Sequence, residues 1–324
     1  MTDLERSISG VKHNVDFMEE LQIKESDSEV CGDYDFVYAW TNEDINGYLT
    51  AANIKPASGL SVLSSGDHPF NLVTLGAKHV DTFDSNYLTE YYALGFKRAM
   101  ILKYNYNQFK RKMFDITYGF MPPEGVIELV KSLFPYMEKK HQIFFQELID
   151  YIYNKKLPVK NIIDLLILGY DSRRWEYQPC GSNYFISEEN YNTLRANLAS
   201  TTITFSKTDA LDLAKAFKGK KYDAVMLSNI LDYFFRFSKT SWTYQVIFEY
   251  EKELEQLLTK DGVLFLYYVF QTPARDGQVY PFNRVNIIPE HLREEELIRF
   301  HNCYESDSAI VLKREESKSS TIKI

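Results

Sequence analysis

Several residue types that usually reveal a function are scarce in this chain. Its 324 residues include three cysteines, which are far apart and form no CxxC pair: Cys31, Cys180 and Cys303. That usage predicts a reducing compartment and provides no disulfide framework. The six histidines form neither an HExxH motif nor a pair at ligand spacing. The sequence therefore predicts no metal site.

Long apolar runs and an excess of positive charge are also absent. No run approaches the ~20 residues of a membrane span, and the N-terminal MTDLERSISG is polar and acidic, unlike a signal peptide. A net charge of −8 argues against nonspecific nucleic-acid binding as the main activity. We therefore expect a cytoplasmic protein that does not bind nucleic acid. Peripheral contact with a membrane and the oligomeric state stay open.

The sequence is rich in aromatic residues, and it contains one local run of positive charge. The 24 tyrosines and 22 phenylalanines predict an aromatic-rich core; the alternative is a cleft walled by rings around an adenine and a partly apolar acceptor. The basic run predicts a solvated helix face, the alternative being contact with an anionic substrate or membrane surface. It comprises Lys97-Arg98, Lys103 and Lys110-Arg111-Lys112.

Apolar strands alternate with helices over most of the chain, which predicts an α/β fold with a doubly wound, mostly parallel, Rossmann-like sheet. The predicted strands lie at 61–63, 80–83, 201–205, 222–227 and 263–270, with 309–313 as a last edge strand. Helical periodicity follows the second strand, so we expect a large helical insertion there. The predicted divisions are a helical lead-in at 1–57, an α/β domain at 58–313 with its insertion at 87–200, and a polar tail at 314–324.

Residues 61–86 read as one strand–turn–helix–strand unit that ends in a carboxylate. The turn contains Gly66, and Asp84 follows it by about the 20 residues at which such units bind a ribose diol. One glycine and no GxxxxGK[ST] motif give little support for binding a phosphate. S-adenosylmethionine (SAM), a nucleoside with an amino-acid tail and no phosphate, suits this polar turn better. The alternative is an ordinary unit in which Asp84 caps a loop.

Polar side chains follow each of the first four predicted strands. Because ligands bind outside the carboxyl ends of parallel strands, these residues are the candidate cofactor site; the alternative is helix capping. The candidates are Ser64, Ser65, Gly66 and Asp67 after the first strand, Asp84 and Ser85 after the second, Thr208 and Asp209 after the third, and Ser228 and Asn229 after the fourth.

Four segments together resemble the betaine-lipid-synthase family, which includes the SAM:diacylglycerol 3-amino-3-carboxypropyltransferases. They are the Ser64–Asp67 turn with Asn71, the strand end at Asp84, Ser182-Asn183-Tyr184-Phe185, and Ser228-Asn229-Ile230-Leu231-Asp232-Tyr233. The resemblance covers about residues 35–270. It implies a class I SAM-binding fold, with the turn near the methionine part, Asp84 on the ribose and Asp209 near the adenine. It also implies a small-molecule or lipid-like acceptor.

The candidate catalytic residues are Asp232 and Tyr233, after the fourth strand. Asp232 would orient an acceptor or take its proton, and Tyr233 would place an aromatic ring beside the sulfonium. The alternative is a helix cap followed by a core ring. Attack on the γ-carbon of SAM would transfer the aminocarboxypropyl group, which we prefer, and attack on the methyl carbon would make a methyltransferase. A noncatalytic SAM-binding module is the remaining alternative.

The candidate substrate-binding residues come from the end of the insertion. Arg173 or Arg174 would hold a carboxylate of SAM or of an anionic acceptor through paired hydrogen bonds; a surface ion pair is the alternative. Asn183 and Tyr184 would line the acceptor side, with a structural role as the alternative.

Overall fold

A computed structural model describes residues 2, 4–6, 8–9, 37, 39–41, 43–155, 183–231, 244–269, 297–301 and 306–313. The helical periodicity predicted around Val15–Leu21 and the apolar segment Ile162–Leu168 lie outside these residues.

The described strands form one seven-stranded sheet in the order β3-β2-β1-β4-β5-β7-β6. Strands β1 to β5 pair in parallel, and β7 is antiparallel to both β5 and β6. This arrangement confirms the mostly parallel α/β sheet predicted from the sequence. The strands are β1 (Ser58–Val62), β2 (His79–Asp84), β3 (Thr202–Lys207), β4 (Tyr222–Met226), β5 (Leu258–Val269), β6 (Leu297–His301) and β7 (Ser306–Lys313).

Two predictions at the C-terminal end of the sheet were wrong in detail. The strand predicted at 309–313 is β7, but it lies between β5 and β6, and β6 takes the edge position. In addition, the sequence predicts a long helix at 242–258 that is ended by Asp261-Gly262. In the structure a helix does precede β5, but it ends at Glu255 and β5 already begins at Leu258. Asp261 and Gly262 therefore lie inside the strand.

Helices pack against both faces of the sheet, and they contain most of the described residues between β2 and β3. A π-helical segment, Glu90–Lys97, runs directly into α3. The helices are α1 (Ile45–Ala52), α2 (Asp67–Thr74), α3 (Arg98–Lys103), α4 (Tyr106–Thr117), α5 (Pro123–Leu133), α6 (Lys139–Lys155), α7 (Asn183–Ile186), α8 (Glu188–Leu198), α9 (Leu213–Ala216) and α10 (Tyr244–Glu255).

Local sequence explains where several of these helices begin. The side chain of Asp44 accepts a hydrogen bond from the Gly47 N–H at the start of α1, and Ser187 caps α8 through the Asn190 N–H. Asn105 forms a reciprocal capping box with Gln108 at the start of α4. These caps satisfy backbone donors that the first turn of a helix otherwise leaves without partners.

The core lies on both faces of the sheet, as the alternation along β4 illustrates. Ala224 and Met226 belong to a cluster that includes residues of α2 and of the helices between β2 and β3. Val225 and Leu227 belong to a second cluster, with residues of α9 and α10. Because both faces of the sheet are covered here, the β4 residues from Ala224 to Met226 are all apolar and buried, whereas Asp223 near the start of the strand is half-buried.

Candidate functional site

The carboxyl ends of β1, β2 and β4 meet at one edge of the sheet. Val62 pairs in register with Phe83 of β2, and Ser61 pairs with Met226 of β4. The residues that follow these strands, including Ser64, Asp84 and Ser228, are therefore brought to the same edge. The chain order reverses around β1, whose neighbours are β2 and β4. Such a switch point is where open α/β sheets bind their ligands.

Unusual backbone geometry marks the loops at this edge. Ser64 has φ 44° and Ser228 has φ 61°, both in the left-handed region that a side chain makes unfavourable. Gly66 has φ 87°, and a Cβ added there would lie 2.9 Å from the Ala93 Cβ. Strained residues of this kind cluster at binding sites, where the surrounding structure holds them in place.

Asp84 is held by the backbone on both sides of its carboxylate. The Ser64 N–H of the β1 turn donates to its Oδ2 at 2.9 Å, and the Asn86 N–H donates to its Oδ1 at 3.0 Å. The side chain is half-buried. These bonds fix a carboxylate at the end of β2 beside the β1 turn, in the position from which the sequence predicted a contact to a ribose.

Asp67, in the first turn of α2, is fully buried, and both of its carboxylate oxygens accept hydrogen bonds. Its Oδ1 accepts a hydrogen bond from Lys97 Nζ at 2.7 Å and another from the Tyr184 hydroxyl. Its Oδ2 accepts from Ser65 Oγ at 2.6 Å and from the Thr41 N–H at 2.7 Å. Asp67 therefore joins the β1 turn to three other parts of the chain: the N-terminal segment that contains Thr41, the π-helical segment and α7.

The charge of Asp67 is balanced inside the protein. Burial alone would raise its pKa, but the Lys97 ammonium and the hydrogen bonds that it accepts hold the pKa below its ordinary value. Lys97 is itself fully buried, and its remaining protons bond to the carbonyls of Ser65 at 3.1 Å and Ala39 at 3.2 Å. The side chains of Asp67, Ser65 and Tyr184 thus organise the turn. Their contacts to a cofactor or acceptor stay predictions.

Lys97 corrects one interpretation of the sequence. We predicted a solvated helix face for the run that begins with Lys97-Arg98, but Lys97 has no exposed surface. It lies four residues after Ala93 and four before Ile101, both buried. This helical spacing was the available signal that Lys97 points into the core.

A second buried cluster joins the N-terminal segment to the ends of β1 and β4. Glu43 Oε2 lies 3.0 Å from His68 Nε2, and Glu43 Oε1 accepts a hydrogen bond from the Ser228 hydroxyl. Glu43 is 2% exposed and His68 1%. Sequence reasoning missed both residues, although His68 directly follows Asp67. Glu43 comes to the site through contacts distant in sequence, and no local pattern indicates it.

The remaining strand-end candidates lie at the surface of the same edge. Asp209 is exposed, and its Oδ1 accepts from the Leu211 N–H at 2.9 Å, as the helix-capping alternative predicted. Thr208 Oγ1 shares a hydrogen bond with Ser206 at 2.8 Å. Ser85 is exposed, and Asn229 Oδ1 lies 3.3 Å from Ser228 Oγ. Their contacts to a cofactor stay predictions.

Four predicted site residues lie outside the described residues: Asp232, Tyr233, Arg173 and Arg174. Asn183 is the first residue of α7. Within the described ranges, no three His, Cys, Asp or Glu residues are grouped so that they could hold a metal ion. No helix in that part of the chain has both the length and the hydropathy needed to cross a membrane.

Comparison with known proteins gives no family. No protein-family model matches the chain, and no curated protein matches it. Two solved structures of the rRNA methyltransferase AviRa from Streptomyces viridochromogenes, at 2.4 and 1.5 Å, are similar to it at 11% sequence identity. Their TM-scores are 0.32 and 0.33; they cover 79% and 82% of this chain, and the match spans 76% and 80% of the AviRa chain. Similarity at this level carries no argument about the activity of this chain.

Proposed function

We propose that this protein is a SAM-dependent transferase with its cofactor at the carboxyl edge of the sheet, between the β1 turn and Asp84. The observation that carries the proposal is the carboxylate of Asp84, which two backbone N–H groups hold at the end of β2. A carboxylate in that position suits the two hydroxyl donors of a ribose. The strand order with an antiparallel β7 supports the same cofactor.

The transferred group that we propose is 3-amino-3-carboxypropyl. An acceptor hydroxyl or amine attacks the γ-carbon of the methionine tail, the bond from that carbon to sulfur breaks, and 5′-methylthioadenosine leaves with the electron pair. The acceptor loses its proton, and Asp232 is the proposed base. The support for this group is the resemblance of the Ser64–Asp67 turn and the Ser228–Tyr233 segment to the betaine-lipid-synthase family. Methyl transfer is the second candidate, because one SAM-binding fold can host both reactions.

Calorimetric titration with SAM tests the cofactor. Asp84→Ala should weaken SAM binding by about 1.5–3 kcal/mol, the range for a hydrogen bond to a charged group. Asp223→Asn is the control, because Asp223 binds the backbone of Ala57 and Ser58 near the opposite ends of the strands. That variant should keep the wild-type affinity. Absence of heat and of a thermal shift at millimolar SAM would refute the proposal.

Product analysis distinguishes the two reactions. The protein is incubated with SAM and a cell extract that supplies the unknown acceptor, and the adenosyl products are separated. Release of 5′-methylthioadenosine, reduced in Asp232→Asn, is the expected result. Accumulation of S-adenosylhomocysteine would establish methyl transfer instead. Binding of SAM without any product would favour a noncatalytic module.

A further inference from the structure

The two buried carboxylates beside the β1 turn have different electrostatic environments. Asp67 pairs with the ammonium of Lys97 at 2.7 Å. Glu43 is just as deeply buried, yet no lysine or arginine among the described residues pairs with it, and its ionisable partner is His68. Burying a carboxylate without a positive partner is costly. Among the described residues, Glu43 therefore lacks the lysine partner that Asp67 has.

The imidazole of His68 contacts Glu43 through one nitrogen only. His68 Nε2 faces Glu43 at 3.0 Å, whereas Nδ1 is buried and has no hydrogen-bond partner among the described residues. Glu43 therefore receives at most one hydrogen bond from this ring.

Glu43 also has hydrogen-bonding capacity at the right place. A carboxylate offers about four lone-pair sites, and the side chains of Ser228 and His68 occupy two of them. Ser228 follows β4, and His68 lies in the first turn after the β1 loop, so Glu43 lies where these strand ends meet. A cation that fits must bring N–H donors, which an ammonium does and a sulfonium does not.

We propose that Glu43 binds the α-ammonium group of SAM. The proposal rests on the proposed function, because it assigns one end of the cofactor in that site. It adds a contact that neither the sequence motifs nor the resemblance indicated. No covalent step is involved.

Three ligands of known charge test the assignment by calorimetry. SAM and S-adenosylhomocysteine both carry the α-ammonium, whereas 5′-methylthioadenosine lacks the amino-acid tail. Glu43→Gln retains the size of the side chain and should weaken SAM and S-adenosylhomocysteine by about 10- to 150-fold, the range for a charge-assisted hydrogen bond. Its affinity for 5′-methylthioadenosine should not change, which also verifies that the pocket is intact.

The matched control is Asp44→Asn, which removes the neighbouring negative charge. Asp44 caps α1, a position that Asn also fills well, so all three affinities should stay near wild type. Equal weakening of all three ligands by Glu43→Gln, or no weakening at all, would overturn the proposal. Weakening of SAM alone would assign Glu43 to the sulfonium and overturn it as well. If the wild-type protein binds none of the ligands, the proposed function itself fails.

Discussion

Removing Lys97 should destabilise the protein far more than its place in a basic sequence run indicates. Its ammonium is fully buried and bonds to Asp67 Oδ1 and to the carbonyls of Ser65 and Ala39. Lys97→Met leaves a side chain of similar length but a buried carboxylate without its cation. Removing one partner of a buried ion pair costs about 3–5 kcal/mol. The free energy of unfolding should fall by that amount.

The assay is equilibrium unfolding in urea at pH 7, with thermal unfolding beside it. An unfolding entropy of about 2.1 cal/mol/K per residue gives roughly 0.7 kcal/mol/K for a chain of this size, so Tm should fall by about 4–7 °C. The control is Arg111→Met in the same basic run. The Arg111 side chain is 85% exposed and lies 3.8 Å from Asp115. Its loss should change stability by less than ~0.5 kcal/mol.

A double-mutant cycle tests whether the ion pair between Lys97 and Asp67 stabilises the protein. Asp67→Asn alone should also be strongly destabilising, since it leaves Lys97 charged and buried. The double variant Lys97→Met/Asp67→Asn removes both charges and should cost clearly less than the sum of the single changes. Strict additivity, or a loss below ~1 kcal/mol for Lys97→Met, would mean that the pair does not stabilise the turn.

Two further predictions concern the sheet and the turn. Burial opposes ionisation of Asp81, but hydrogen bonds from Lys220 and Tyr222 help to lower its pKa to about 2. Because the pKa of Asp81 is higher in the unfolded chain, this stabilisation is present above about pH 4 and disappears as the pH falls towards 2. Asp81→Asn should therefore lower the free energy of unfolding by on the order of 2 kcal/mol at pH 7. The urea midpoints of the variant and of wild type, measured against pH, should converge in acid. Gly66→Ala should lower stability by at least ~1 kcal/mol and weaken SAM binding, because φ is 87° and the new Cβ would crowd Ala93 and Phe70. The control is Gly76→Ala, because a Cβ added at Gly76 has open space and the residue also has a positive φ. Equal effects of the two substitutions on SAM affinity would contradict a special role for the Gly66 turn.

The sequence was most informative where structure is determined locally. The apolar run of β4, the glycine of the turn at Gly66 and the carboxylate at the end of β2 each depend on residues within a few positions, and each was located correctly. The C-terminal part was harder, because β7 inserts between β5 and β6. Which strands pair with an antiparallel strand such as β7 depends on contacts distant in sequence, and hydrophobic periodicity does not encode those contacts.

In the candidate site, too, the sequence indicated which residues are candidates but not how they contact one another. Position alone identified Asp67 and Asp84 as candidates, but only the tertiary contacts distinguish their roles: Asp84 is held by backbone N–H groups at the edge, and Asp67 is paired with Lys97 inside. Glu43 reaches Ser228 over 185 residues of sequence, which no spacing rule anticipates.

The contrast between Asp67 and Glu43 separates the scaffold from the site in physical terms. A carboxylate with a buried lysine, a tyrosine hydroxyl and two more donors has its charge and hydrogen bonds satisfied by the protein, so it stabilises the turn. Glu43 has one imidazole and one hydroxyl as side-chain partners among the described residues, and no lysine or arginine there pairs with it. This difference in partners is the reason for assigning Asp67 to the stability of the turn and for proposing Glu43 as the residue that binds the α-ammonium of SAM.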